Sequence, residues 1–214
     1  MMDIGGYVEM KKTLIVSLAL MMLLPAALFA ASDWYDMSLG ATVQWQPVPK
    51  YSDWESAKKD LLKIDNWSFG VDFRNRVALF EVDLVGMYNY SKPLDVPTHT
   101  VSVLGTAGLV FDIYDVVRLG IGLGPSFDFI IQDGKLRVLD TAGALVDAQN
   151  LGASFSHAPL TYRLTADFLL GSIMIGANYT LPSAWSFAEP TWKGLLPPEW
   201  GKGKLGVSIL YTIL

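Results

Sequence analysis

From Val117 to Gln132 the chain alternates between two kinds of side chain. Val117, Leu119, Ile121, Leu123, Pro125, Phe127, Phe129 and Ile131 fall on one face. Arg118, Gly120, Gly122, Gly124, Ser126, Asp128, Ile130 and Gln132 fall on the other. A period of two is the signature of a β-strand. The alternation holds for roughly three times the length of an ordinary soluble strand of about 5–6 residues. A long strand with one wholly apolar face fits a transmembrane barrel, with lipid outside and a lumen inside. Closing the sheet pairs every backbone N–H and C=O, which hydrocarbon demands.

The same alternation recurs in seven further stretches: about Tyr35 to Gln46, Asn66 to Arg74, Val77 to Tyr90, Thr98 to Asp112, Leu160 to Leu170, Ile173 to Leu181 and Lys204 to Leu214. Tight turns are predicted at Asn75-Arg76, Ile113 to Asp115 and Gly171-Ser172, the last with the glycine first, as a type II′ turn prefers. Longer connections separate the remaining pairs: 47–65, 91–97, 133–159 and 182–203. The segment Asp53 to Leu62 carries helix-end signals, and Lys135 to Leu139 extends the hairpin begun by the Val117 strand. Connections that alternate long and short distinguish an outer-membrane barrel, which keeps short turns on the periplasmic side and long loops outside. The expected fold is therefore all-β, an eight-stranded antiparallel transmembrane β-barrel with an N-terminal signal peptide.

Two bands of outward aromatics support the membrane reading. Trp45, Trp67, Tyr88, Tyr90, Phe127, Phe129, Tyr162 and Tyr179 fall near the loop ends of their strands. Phe73, Phe80, Phe111, Phe168 and Tyr211 fall near the turn ends. Aromatic girdles of this kind anchor a barrel at its two interfaces.

Composition agrees with this picture. The 214 residues are 51% hydrophobic, with a mean hydropathy of +0.33. Beyond the N-terminus no apolar run approaches the roughly 20 residues of a spanning helix. Met10-Lys11-Lys12, the apolar stretch Thr13 to Leu24, Pro25 and the small-residue site ending at Ala30 read as an export signal. Residues 1–30 are the expected signal peptide, within which Met10 is the expected initiator and 1–9 a mis-called start, and 31–214 form the barrel. The net charge of −5 leaves no basic excess for nucleic acid. The absence of cysteine excludes disulfides, thiolate chemistry and an N-terminal lipid-modified cysteine.

The export signal, the glycine-rich run Leu119 to Gly124 and a final strand with Tyr211 near its close resemble the small eight-stranded outer-membrane barrels. The nearest likeness is OmpW-like, with OmpA- and OmpX-like barrels as neighbours. Such proteins end on an aromatic residue that the outer-membrane assembly machinery recognises, whereas the last residue here is Leu214. The resemblance implies an integral protein in the outer membrane of a two-membrane bacterium, with membrane lipid and the assembly machinery as partners. It further implies a narrow channel for small hydrophobic solutes, with no catalysis and no cofactor.

The candidate sites follow from the inward face. Asp72, Arg74, Glu81, Asp83, Asp112, Arg118, Asp128, Arg163, Asp167 and Lys204 all point to the lumen in this phase. An eight-stranded barrel leaves an interior just wide enough for side chains to fill. Buried charges must be paired, so these ten residues read as a lumen charge network; a wet, mildly cation-preferring pore is the other reading. Gly120, Gly122 and Gly124 lack the third glycine of a dinucleotide fingerprint, because Pro125 follows, and read as room-makers. No nucleophile–base pair is evident, and His99 and His157 are too far apart in sequence to argue for a metal. The loop 182–203 carries Trp185, Phe187, Trp192 and Trp200 among prolines. Large apolar side chains in a loop need lipid, a ligand or a partner. The loop is thus a plug, the entrance for a hydrophobic ligand, or a contact for a host or partner surface. The last is the basis of an alternative function, a structural or adhesive barrel.

Overall fold

The structure, a computed structural model, describes residues 34–45, 58, 61–92, 96–139, 145–147, 158–188, 190–196 and 198–214. The expected export signal, most of the expected helix at 53–62, and His157 lie outside the described residues. Ten strands form one antiparallel sheet: β1 (Tyr35–Trp45), β2 (Trp67–Val77), β3 (Phe80–Ser91), β4 (Thr98–Ile113), β5 (Val117–Gln132), β6 (Lys135–Leu139), β7 (Leu145–Asp147), β8 (Pro159–Leu170), β9 (Ile173–Ser186) and β10 (Lys204–Thr212). Eight of them close into a ring in the order β1-β2-β3-β4-β5-β8-β9-β10, and β10 pairs back onto β1 from Ser38–Thr212 to Trp45–Leu205. The fold is an all-β, closed, eight-stranded antiparallel barrel. Closure pairs each of the eight staves on both sides over the spanning part of the ring.

β6 and β7 are not barrel staves. β5 pairs with β8 only from Val117–Phe168 to Pro125–Leu160. Beyond that point its free side is taken by β6, from Phe129–Val138 to Gln132–Lys135. Asp133 and Gly134 both have positive φ, which supplies the tight turn between β5 and β6. The extension through Lys135–Leu139 agrees with the expectation; β7, which continues it, was not expected.

The inside–outside phase of every barrel strand agrees with the alternation in the sequence. Along β3, Glu81, Asp83, Val85, Met87 and Asn89 are buried, while Phe80, Val82, Leu84, Tyr88 and Tyr90 are exposed. The exposed face of the barrel is aliphatic and aromatic, with Val71, Ile121, Ile209 and Val207 in its middle. Most of the buried residues are instead polar. That inversion of a soluble protein fits lipid outside and a packed polar lumen inside. Among the described residues no helix is long and apolar enough to cross a membrane; the spanning elements are strands.

Three element boundaries differ from expectation. The β2–β3 turn lies at Ala78-Leu79 rather than Asn75-Arg76, because Ala78 takes the positive φ of 56°. Asn75 and Arg76 consequently belong to β2, and Asn75 donates a hydrogen bond to the Tyr35 hydroxyl at 3.3 Å. β9 runs on to Ser186 through Pro182, and a register irregularity opposite Pro159–Thr161 accommodates it. The β4–β5 turn is centred one residue later, with Tyr114 and Asp115 at positive φ. At Gly171-Ser172 the positive φ belongs to the glycine, as the turn requires.

Candidate functional site

The lumen is crossed by two storeys of ion pairs. The storey nearer the turns is a ring of four residues. Arg76 of β2 binds Asp36 of β1 and Asp112 of β4, each at 2.7 Å. Arg118 of β5 binds the same two carboxylates, Asp112 at 2.7 Å and Asp36 at 2.9 Å. The register accounts for half of these contacts: Asp36 lies directly opposite Arg76, and Asp112 opposite Arg118, and opposite charges across a ladder attract. Of the other two, Arg76–Asp112 reaches past β3 and Arg118–Asp36 crosses the lumen. β1 and β5 are diametrically opposed in the ring, so the Arg118–Asp36 pair spans the lumen at that depth.

The second storey lies one layer further from the turns. Arg74 of β2 binds Asp167 of β8 at 2.6 Å and Asp72 at 3.1 Å. Arg163 of β8 binds Asp72 at 2.5 Å and Asp83 of β3 at 3.2 Å. β2 and β8 are again diametrically opposed. Arg74 and Arg163 are essentially solvent-free, at 0% and 1% exposure. Fixed guanidinium forks suit this role, since each reaches two carboxylates at once. Uncharged groups extend the storey. The Asp83 carboxylate accepts the Thr106 hydroxyl at 3.3 Å. Ser208 Oγ lies 3.0 Å from Asp72 and 2.9 Å from Thr42, and accepts a hydrogen bond from Asn178, which in turn accepts one from Gln44.

Seven of the ten expected network residues therefore stand in the two storeys: Asp72, Arg74, Asp83, Asp112, Arg118, Arg163 and Asp167. Glu81 is buried and lines a narrow pocket with Asp83, Arg163 and Thr165. Asp128 and Lys204 sit higher, in a cavity above the ion pairs; Asp128 accepts the hydroxyl of Ser102. The sequence reasoning missed Asp36 and Arg76 as members. Placing the turn at Asn75-Arg76 removed Arg76 from the inward face, although its even number continues the phase of Asp72 and Arg74. The glycines of β5 make room at all three positions: a Cβ on Gly120 would run into Thr165 Oγ1, one on Gly122 would lie 3.1 Å from Thr106 Cβ, and one on Gly124 would fall on the backbone carbonyl of Gly105.

Above the second storey the barrel opens into a cavity of about 410 Å³. Its walls differ. Val85, Met87, Leu104 and Phe127, from β3, β4 and β5, make an apolar side, and the first and third of these pack with Met87 as one buried cluster. Gln44, Thr180, Ser183 and Lys204, from β1, β9 and β10, make a polar side across the lumen. The volume is within the range of small-molecule sites, which are about 300–1,000 Å³. A second, more open and polar cavity of about 450 Å³ adjoins it, lined by Asn66, Asn89, Lys92 and Thr100 among others; the two share Ser102, Asp128 and Lys204. The first cavity also touches a change in the wall. Ser126, Phe127 and Val138 line it from one side and Ala158 and Pro159 from the other, at the level where the β5–β8 ladder has ended.

The tryptophans of the last long connection are not among the residues that line this cavity. Gly194, Leu195 and Trp200 lie against outward-facing residues of the wall. The outward Tyr162 donates to the carbonyl of Leu195 at 3.0 Å, and the outward Tyr179 to that of Trp200. A short helix, Trp192–Leu195, packs on β9, with Gly194 against the backbone of Ala184. Leu181, on the outward phase of β9, is buried. Trp192 and Trp200 remain 85% and 62% exposed, on the lipid side of the barrel. Trp185 and Phe187 form an edge-to-face pair at 5.0 Å near the end of β9. The segment's own contributions to the cavity are Pro182, Ser183, Glu199 and Lys202. His99 also faces outward, its Nδ1 2.7 Å from the Tyr88 hydroxyl and its ring 5.1 Å from that of Tyr90.

No family model matches the chain, and no curated protein matches it. Solved structures do. Ail, the attachment invasion locus protein of Yersinia pestis, is 15% identical over 83% of this chain and 95% of its own, with a TM-score of 0.43. Neisserial surface protein A is 13% identical over 84% of this chain and 97% of its own, with a TM-score of 0.46. The CymD monoaromatic hydrocarbon channel is 13% identical over 78% of this chain and 48% of its own, with a TM-score of 0.31. The closed eight-strand ring, the apolar exterior and the polar lumen of the present structure make the protein a small integral β-barrel of the outer-membrane type.

Proposed function

We propose that this barrel binds small, largely apolar solutes in the cavity above its ion pairs and passes them sideways into the outer membrane. The observation that carries the reading is a two-faced cavity of about 410 Å³ standing on a floor of ion pairs between opposed strands. A solute that enters from the loop end meets charged side chains beneath it. Crossing them would strip an apolar solute of contacts and break buried ion pairs. The wall between β5 and β8 offers another path, because their hydrogen bonds stop at Pro125–Leu160 and Pro125 has no N–H to give. Phe127, on the lipid-facing phase of β5, also lines the cavity. The tryptophan segment packs against Tyr162 on the adjoining face of β8, where Trp192 and Trp200 serve as the lipid-side lip of this exit. This reading agrees with what the OmpW-like resemblance implies, and it assigns no catalytic role to any residue.

The test uses barrel refolded in lipid. Planar-bilayer recording should show no steady ionic conductance, while an apolar fluorescent probe should bind saturably. Met87→Trp fills the cavity and should abolish that binding. Open-channel conductance, or probe binding unaffected by Met87→Trp, would overturn the proposal and favour a barrel whose loops act on an external partner.

A further inference from the structure

We propose that the preferred ligand of this cavity is an amphipathic monocarboxylate, with its apolar body against Met87 and Leu104 and its anionic head on Lys204. The inference rests on the binding reading above and names the class of ligand.

Lys204 is the first residue of β10 and stands opposite Thr180 of β9. It is half-buried, and it lines both the two-faced cavity and the polar one above it. Three lysines reach these cavities. Lys202 is paired with Glu199 at 3.0 Å. Lys92 is solvent-facing and lies over the ring of Tyr90. Among the described residues, Lys204 alone of the three has no side-chain ion pair, hydrogen bond or ring contact. A half-buried ammonium without a counter-ion is costly, and a ligand carboxylate would relieve that cost.

The position of Lys204 sets the orientation of the ligand. It stands on the polar wall, across from the apolar residues of β3 and β4, and at the junction between the two cavities. A head group held there leaves the attached chain facing Met87 and Leu104 below. The other charged group at the junction is Asp128, and its carboxylate already accepts the Ser102 hydroxyl. A cationic head would have to use this partly engaged acid and tolerate the lysine at the same junction. The anionic head meets the free charge.

The experiment is isothermal titration of the barrel in lipid nanodiscs, with empty nanodiscs subtracted, using decanoate, decanol and decylamine. The three share one apolar body and differ in the head. A charge-assisted hydrogen bond corresponds to roughly a ten-fold or greater preference for decanoate over decanol. Lys204→Met should erase that preference while decanol binding persists, and Lys204→Arg should keep most of it. Decanol binding with no preference for decanoate, or a preference for decylamine, would overturn the ligand class and leave the cavity reading standing. Absence of binding by all three to the native barrel would overturn both.

Discussion

Arg118 on β5 and Asp36 on β1 meet across the lumen at 2.9 Å, although their strands stand on opposite sides of the ring. A barrel joined across its diameter by side chains is a stiffened post at that level. Arg118 also holds Asp112, and Arg76 holds both acids from the other side. Removing Arg118 leaves Asp36 and Asp112 to a single guanidinium. Arg118→Ala is expected to cost about 3–5 kcal/mol, the usual loss when one partner of a buried pair is deleted. Urea unfolding in detergent micelles, followed by the loss of β-sheet circular dichroism, measures it.

The two acids that hold Arg163 should not be equivalent. Asp72 is shared by Arg163 and Arg74 and has Ser208 beside it. Asp83 is held by Arg163 and Thr106. Asp72→Asn deprives two buried guanidiniums of a counter-charge and should cost about 3–5 kcal/mol. Asp83→Asn keeps its shape and removes one of two acids from Arg163, and should cost about 1–3 kcal/mol. The same unfolding series ranks them, and the reverse order would show that the second storey is held together differently.

Gly176 tests the storey from its edge. It lies directly opposite Asp167, and a Cβ there would fall on the Asp167 carboxylate. Gly176→Ala should therefore push Asp167 off Arg74 and destabilise the barrel by about 3 kcal/mol or more. Gly86→Ala is the control, since its Cβ would meet only Val71 Cγ2, at 3.7 Å. It should be neutral or slightly stabilising in the same assay.

Much of this architecture is legible in the residues because lipid imposes the period of two on every spanning strand. β5 begins at Val117 and ends at Gln132, where the alternation begins and ends. The turns are less legible. Asn-Arg has the composition of a turn and Ala-Leu does not, yet the chain reverses at Ala78-Leu79. The opposed charges of Asp36 and Arg76 hold β2 straight past Asn75, and no local propensity records a partner 40 residues away. Pro182 likewise reads as a loop residue, but it sits in β9 opposite a register irregularity that removes the need for its missing N–H. The tryptophan segment shows the remaining gap. Its composition says only that it needs an apolar or interfacial neighbour. That the neighbour is the outer wall, through Tyr162 and Tyr179, depends on contacts distant in sequence.

Because Trp192 and Trp200 lie on that wall and away from the cavity, their replacement should separate release from binding. The double variant Trp192→Ser and Trp200→Ser is expected to bind an apolar probe as the native barrel does, and to deliver it to surrounding lipid several-fold more slowly. Stopped-flow transfer from preloaded protein to acceptor vesicles, beside an equilibrium titration, reads both quantities. Lost affinity with unchanged release would place the tryptophans at the cavity and contradict the lip.

If solutes leave through the wall between β5 and β8, holding that seam shut must stop them. The chain has no cysteine, so a single pair can be introduced at Ser126 and Pro159, one step past the last β5–β8 pair, and joined by a short bifunctional thiol reagent. Probe transfer to lipid is then measured with the seam bridged and unbridged. Bridging is expected to stop transfer while saturable binding persists, and cleaving the bridge to restore transfer. Transfer at the native rate through a bridged seam would contradict that route.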